Sequence, residues 1–499
     1  MQAVLANADN LRGRSTVTRR ATNGRSEMST DVVGSEEQSG QKATGWLWLV
    51  GAVIAVSGIL FGYDQGVISG ALRGIENSFK VGTTTTEIIT SWVTLGALVG
   101  ALVAGVTADR IGRRSALLLA GGLFVVGAVI EAVAPGAAVL VVGRLVVGFA
   151  VGIASVAAPL YAAEMAPAHL RGRFVSGYQL GITFGIFLAY LVDELMDSAD
   201  WRLMLGVSSF VGIALIVAIL PLPDTPRWYL KVGRRKDAVE ALKKVDARPD
   251  AEAAISIIEA EAASDVQASW GVAFSKRWRT PLLIGVGLAV FQQITGINAI
   301  IYYADKIFDA AGFTSVADQT MATTWAVGGV NVLATLIAVM FVDRLGRKPL
   351  LLAGLVGMGL SLAVVGIAFQ SLGEVQHGGS SQAASDAGVI TLVALVVYIA
   401  SFAFSMGPVV WTIINEIYPR EVRGRMVSVA TAFNWFSAWL VSQFFLTLTD
   451  SIGESETFWM FAGFCLVAFL WILRYVPETK ERTLEEIEEM WQNKYNAAG

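Results

Sequence analysis

Two charged residues stand inside apolar stretches, where charge is costly. Asp64 follows the run from Trp46 to Leu60, and Arg144 lies early in the run that opens near Ala138. A charged side chain in hydrocarbon costs about 3 kcal/mol or more, so each is expected to face a polar cavity and to have a partner. If the two runs cross a membrane in opposite directions, each residue lies six positions from the same face, counted from Gly70 and Ala138, or about 9 Å along a helix. The two would then neutralise each other. Burial disfavours the ionised acid and the guanidinium favours it, a balance that cavity water or substrate can tip. That is the chemistry of a proton-coupling site. A static ion pair locking two helices is the plainer alternative.

A second group is polar and uncharged: Gln179, Gln292, Gln293, Asn298, Asn331 and Asn434, with the indole donor of Trp411, all within apolar runs. A buried amide needs hydrogen-bond partners. Helix–helix bonding could satisfy any one of them. Their number and their spread over several runs point instead to a shared cavity. Amides and an indole suit a neutral polyhydroxylated ligand, since each hydroxyl both donates and accepts. No Lys or Arg accompanies them, which argues against an anionic ligand. Beside the Gln pair, Thr295-Gly296 interrupts the apolar run, where a kink would expose backbone.

A third group is charged and lies at the ends of the runs: Asp109, Arg113, Glu164, Arg171, Asp343, Arg347, Glu416 and Arg423. Membrane topology alone accounts for most of the arginines. It does not account for acids recurring at matched places in both halves of the chain. The expectation is an ion-pair latch between two bundles that holds the cytosolic side closed.

The elements that position these groups are membrane helices. The chain of 499 residues is 54% apolar and only 16% charged, with a mean hydropathy of +0.58, against about 25% charged in soluble domains. Its 51 glycines suit close helix packing. The net charge of −4 is small. Cys465 has no partner for an intrachain disulfide and reads as an inert buried thiol. Strand alternation is too short-lived for a barrel, so the spans are helical.

Runs long enough to cross a bilayer recur twelve times, over residues 46–70, 88–108, 115–133, 138–163, 174–194 and 203–222, then 280–303, 321–342, 349–371, 389–415, 426–449 and 458–476. Every second loop is basic, so those loops and both termini are expected in the cytosol. Residues 1–42 read as a disordered cytosolic tail, 43–223 as a first six-helix bundle, 224–279 as a cytosolic linker, 280–476 as a second bundle and 477–499 as a cytosolic tail. Within the linker, 236–245 and 253–263 read as short amphipathic helices. The halves repeat: Asp109-Arg110-Ile111-Gly112-Arg113-Arg114 returns as Asp343-Arg344-Leu345-Gly346-Arg347-Lys348, and Glu164 with Arg171-Gly172-Arg173 returns as Glu416 with Arg423-Gly424-Arg425. The fold class expected is an all-α membrane protein of twelve helices in two pseudo-symmetric bundles, the parallel-repeat plan of the major facilitator architecture. The basic residues are juxtamembrane, which leaves nucleic-acid binding without footing. No nucleophile–base spacing or metal motif points to an enzyme.

The residues quoted so far, with Gly143-Arg144 and Gly148, Pro223-Asp224-Thr225-Pro226-Arg227-Trp228, Gln292-Gln293-Ile294-Thr295-Gly296-Ile297-Asn298, Gly407-Pro408-Val409-Val410-Trp411 and Pro477-Glu478-Thr479-Lys480, resemble the sugar porter family of the major facilitator superfamily. The resemblance covers residues 46–490. It implies a monosaccharide transporter working by alternating access in the cell membrane, a monomer, with protons as coupling ion and no cofactor. It implies that the amide positions contact sugar and that Phe61 and Trp435 face its ring. Family members that couple to protons resemble this chain in having Asp where Asp64 stands, whereas passive facilitators often have Asn. The chain departs from the pattern at Asp224-Thr225, where Glu-Ser is commoner, and at Glu481, where Gly is. Ile186 and Ala438 stand where some members carry further amides, which leaves the sugar open. A passive facilitator is the nearest alternative; a drug exporter and a non-transporting sugar receptor are further off.

Overall fold

The computed structural model describes residues 44–499 except 197–199, 247–249, 265–268, 377–380, 420, 481–483 and 499. The expected tail over residues 1–42 therefore lies outside the described residues. The first half consists of α1 (Gly45–Phe79), α2 (Thr83–Ile111), α3 (Arg113–Ala132), α4 (Ala137–Met165), α5 (Ala168–Leu195) and α6 (Trp201–Ile219). A linker follows, with α7 (Pro226–Lys231), α8 (Arg235–Asp246), α9 (Ala251–Ser264) and α10 (Trp270–Ala273). The second half has α11 (Arg279–Ile294), α12 (Ile297–Tyr302), α13 (Ala304–Ala310), α14 (Val316–Ala322), a π-helical turn (Thr323–Gly329), α15 (Val330–Leu345), α16 (Arg347–Gln376), α17 (Ser381–Phe404), α18 (Met406–Ile417), α19 (Arg423–Ile452) and α20 (Glu454–Tyr475); α21 (Leu484–Ala498) closes the chain.

Among the described residues, eleven helical stretches are long and apolar enough to span a membrane. The twelfth crossing of the fold is α19. It has the length but carries Asn434, Ser437, Ser442 and Gln443, all buried against protein rather than lipid. Two crossings are broken helices, α11 with α12 and α17 with α18, while α14 runs on into α15 through the π turn.

Glycine seams set the packing. Along α1, a Cβ on Gly58 would lie 2.3 Å from Tyr178 O, and one on Gly62 1.9 Å from Ile182 O, so only hydrogen at these sites lets α1 lie on α5. Asp64, midway between Gly62 and Gly66, is thereby turned away from α5. A second seam, Gly96 and Gly100 on α2 against Gly148 and Gly152 on α4, brings the α4 backbone beside Val93 and Ala97 and places Arg144 near the α2 turn at Ile89.

Several boundaries differ from the sequence reading. α1 runs on past Gly70 to Phe79, so Asp64 sits well inside the helix rather than six residues from its end. α16 and α17 extend to Gln376 and from Ser381, leaving little of the loop expected there. The expected C-terminal tail contains α21, whose Ile487 and Trp491 are buried and whose Trp491 indole donates to Ile417 O at 3.1 Å. In the linker, α8 and α9 form where expected and pack a small core of Ala238, Val239, Ala251 and Ile255. α7 was not expected; Thr225 caps it by accepting from Trp228 N, and Pro226 opens it.

Candidate functional site: a buried ion pair, an amide network and two ends

Asp64 and Arg144 meet as expected. Arg144 Nη1 bonds Asp64 Oδ1 at 2.6 Å, and Arg144 Nε donates to Ile89 O at 3.2 Å. Arg144 is 0% exposed and Asp64 3%, so the pair is shut off from water. A third charged group lies at this place. Glu131 on α3 sits with Oε1 3.6 Å from the same guanidinium nitrogen. The sequence reading covered its run but passed over the carboxylate near its end.

Four of the predicted amides form one network. Gln292 Nε2 donates to Met406 O at 2.7 Å and Gly407 O at 3.3 Å, the carbonyls of the first two residues of α18. Asn434 Nδ2 donates to Gln292 Oε1 at 2.8 Å and to Ala289 O at 3.1 Å. Gln293 Nε2 reaches Asn434 Oδ1 at 3.3 Å, and Asn298 Nδ2 donates to Gln293 Oε1 at 2.9 Å. The interruption at Thr295-Gly296 is present, with Gly296 at φ +99°, a left-handed conformation that favours glycine. The Thr295 carbonyl freed there accepts from Tyr398 Oη at 3.0 Å.

The network crosses between the halves through a residue the sequence reading missed. Gln65 Nε2 donates to Asn298 Oδ1 at 3.2 Å and to Tyr302 Oη at 3.3 Å. Its signal in the sequence was that of the other amides, a polar group within an apolar run, beside Asp64. Phe61 and Trp435 also meet across the halves, with ring centroids 5.2 Å apart. Of the remaining candidates, Asn331 is buried on α15 just after the π turn, while Gln179 on α5 and Trp411 on α18 are half-buried. Among the described residues, no hydrogen bond joins their side chains to the network.

The two ends differ. At the end away from the linker, Glu87 accepts from Thr447 N and Thr447 Oγ1, both at 2.7 Å, and Ser91 Oγ donates to Gln443 Oε1 at 2.7 Å. Lys306 Nζ bonds Glu76 Oε1 at 2.8 Å, and Tyr190 Oη donates to Ile301 O at 2.7 Å. These contacts close the halves on each other.

At the linker end the predicted charges pair differently from expectation. Arg113 bonds Glu164 at 3.1 Å and Asp109 at 3.1 Å, all within the first half. Arg347 bonds Glu416 at 3.0 Å within the second. Arg423 donates to Tyr418 O at 3.0 and 3.1 Å, holding its own helix entry. In this conformation each of these pairs fastens helices of one half. The side chains of Arg171 and Asp343 lie outside the described residues.

The linker-end stations repeat in detail. Asp224 accepts from Arg113 N at 2.9 Å, Arg114 N at 3.2 Å and Thr225 N at 2.8 Å. Glu478 accepts from Arg347 N, Lys348 N and Thr479 N at 3.1, 3.1 and 3.0 Å, and from Lys480 N at 2.9 Å. Both carboxylates thus sit at the N-terminus of a spanning helix, α3 or α16, where unpaired N–H groups favour anions. Thr225 Oγ1 donates to Glu164 and Thr479 Oγ1 donates to Glu416, the latter at 2.6 Å. Burial pushes the Asp224 carboxyl above its ordinary value despite the N–H donors. For Glu478 burial acts in the same direction, but the donors outweigh it and hold the carboxyl below its ordinary value.

Residues 50–491 match the model of the Sugar (and other) transporter family. The chain belongs to that family. It is 38% identical to the galactose-proton symporter of Escherichia coli K12 over 455 residues, 91% of this chain and 96% of that protein. It is 39% identical to the arabinose-proton symporter of the same organism, over 88% of this chain and 92% of that protein. The partially occluded inward-open structure of the xylose transporter XylE from E. coli aligns with a TM-score of 0.76 at 28% identity, covering 88% of this chain and all 100% of that one. The fold is accordingly the twelve-helix major facilitator fold, and the chain is a transporter rather than an enzyme.

Proposed function

We propose that this chain is a proton-coupled symporter of a neutral monosaccharide that works by alternating access. One observation carries the reading: two adjacent residues of α1 serve both tasks. Asp64 holds Arg144, and Gln65 bonds Asn298 of the amide network. A change of charge at Asp64 therefore sits one residue from the group that joins the ligand-binding amides to the other half. The amides, Phe61 and Trp435 are assigned to a sugar, and its identity as a hexose or pentose is left to transport assays. The galactose and arabinose symporters among the relatives support the class.

The linker end, with its basic loops, is assigned to the cytosol by the positive-inside rule, with both termini there, and the membrane is taken to be the cell membrane. With the far end closed, this conformation faces inward, in keeping with the inward-open neighbour. The working unit is a monomer, and the proton is the coupling ion. On this reading Asp64 is protonated from outside, releases Arg144 and permits the halves to rock. It loses the proton to the cytosol and pairs again.

Asp64→Asn imitates the protonated state permanently. It should abolish accumulation of sugar against a gradient yet leave sugar–sugar exchange substantially intact. Active uptake and counterflow in the same proteoliposomes decide the matter. A variant that still concentrates sugar under an imposed proton gradient would refute the assignment of Asp64.

A further inference from the structure

Glu131 is used by neither the ion pair nor the amide network, yet it is 1% exposed, one residue before the end of α3. Packing holds it there. A Cβ on Gly143 would lie 2.6 Å from Glu131 Cγ, so the glycine of α4 makes the room that the α3 acid fills. Its surroundings are as follows. α4 supplies Arg144, whose Nη1 lies 3.6 Å from Glu131 and 2.6 Å from Asp64 on α1. α2 supplies the Ile89 carbonyl to Arg144, its own Glu87 being held by Thr447. α6 supplies Arg202, which donates to Ala134 O and pairs with Asp200 at 3.6 Å. α12 supplies the Tyr302 hydroxyl, which accepts from Gln65.

One guanidinium thus faces two carboxyls with water excluded. Two ionised acids there would leave a net negative charge in the membrane interior, which a low dielectric penalises heavily. One proton removes it. The 2.6 Å contact is a charge-assisted hydrogen bond, whereas 3.6 Å is too long for a hydrogen bond, so Asp64 holds the charge and Glu131 the proton.

We infer that Glu131 is a second proton-binding carboxyl of this site: it carries a resident proton while Asp64 holds Arg144, and it ionises to take Arg144 over when Asp64 is neutral. When Asp64 takes up a proton from outside, an O–H bond forms on it, the O–H bond of Glu131 breaks and that proton is released once the site faces the cytosol. Transfer of the Asp64 proton to Glu131 then restores the first state, with one proton carried across and the net charge of the two resting states equal. Asp64 can then be neutral without stranding a buried guanidinium. The inference rests on the proton-coupled reading for the role of Asp64, but its test needs no transport.

The test is infrared spectroscopy of purified, sugar-free protein at neutral pH. The carbonyl band of a protonated carboxyl should lose one group's intensity in Glu131→Gln. The same loss should occur in Asp64→Asn, because Glu131 ionises there to pair with Arg144. A band unchanged in either variant would overturn the inference. As a second arm, the double variant should yield monodisperse protein at least about tenfold below the product of the two single losses, because Arg144 is then buried unpaired. Adding Arg144→Gln should restore it. A double variant as sound as the singles would also overturn the inference. If Asp64→Asn still concentrates sugar while the infrared arms behave as expected, the coupling assignment falls and the Glu131 proton stands.

Discussion

The two ends of this transporter use charge in opposite ways. At the far end, Glu87 with Thr447, Glu76 with Lys306 and Ser91 with Gln443 join one half to the other. At the linker end, Arg113 with Glu164 and Arg347 with Glu416 stay inside their own halves, and a helix-terminal carboxylate and a threonine complete each station. The difference teaches which contacts can switch. A bond between halves must break when the halves rock, so it biases an equilibrium. A bond within a half survives the motion and keeps that half rigid while it moves.

The comparison can be broken at its strongest point. Glu164→Ala removes partners of both Arg113 and Thr225 in a station whose side chains are about a tenth exposed. It should cost about 2–4 kcal/mol of stability, read as a lowered melting temperature in detergent. The reactivity of a cysteine placed between the halves at the linker end should hardly change. A large change in reactivity with unchanged melting would make the station a latch between bundles after all.

The amides lie between the two ends and should respond differently from both. Gln293→Ala and Asn298→Ala should each weaken sugar binding by about 1–3 kcal/mol, because a hydroxyl loses its partner in a desolvated site. Insertion and melting temperature should stay near the unaltered protein. Unchanged affinity in both variants would mean that these amides only bond helix to helix.

At the far end the effect should be smaller and should appear as population rather than stability. Glu87→Gln weakens two bonds to Thr447. It should shift the balance toward the outward-facing form by about 1 kcal/mol, measured as faster labelling of a cysteine beside Ser91 from the outside. Labelling that does not change would remove Glu87 from the closure.

The smallest effect sharpens the comparison within the linker end. Glu478 has a lowered carboxyl, so its contribution is present above the ordinary carboxylate value and lost as pH falls through the lowered one. Asp224 has a raised carboxyl, so its contribution is complete below the ordinary value and lost as pH rises through the raised one. Glu478→Gln should therefore flatten the loss of melting temperature on acidification, and Asp224→Asn should not. Identical acid profiles for the two variants would show the stations to be electrostatically equivalent.

Much of this was legible in the sequence because hydrocarbon as a solvent leaves few choices. Apolar run length gives the spans, basic loops give the expected orientation, and a repeated charged loop gives the two halves. A charge inside a span must find an opposite charge, so Asp64 and Arg144 could be paired from their positions alone, and the amides from their number. The break at Thr295-Gly296 was equally legible, since glycine there meets a positive φ. What the sequence could not decide was which surfaces meet. The same ion pair can lie within a half or between halves, and only helix packing placed Arg113 on Glu164 and Arg347 on Glu416. Gln65 and Glu131 carried the same signal, a polar group inside an apolar run, but their partners were not legible in it. They became part of the site because helix packing, with Gly143 making room for Glu131 between α3 and α4, brings α1, α3 and α4 within reach of one another and α1 within reach of α12, and side-chain distance across helices is not written in spacing along any one of them.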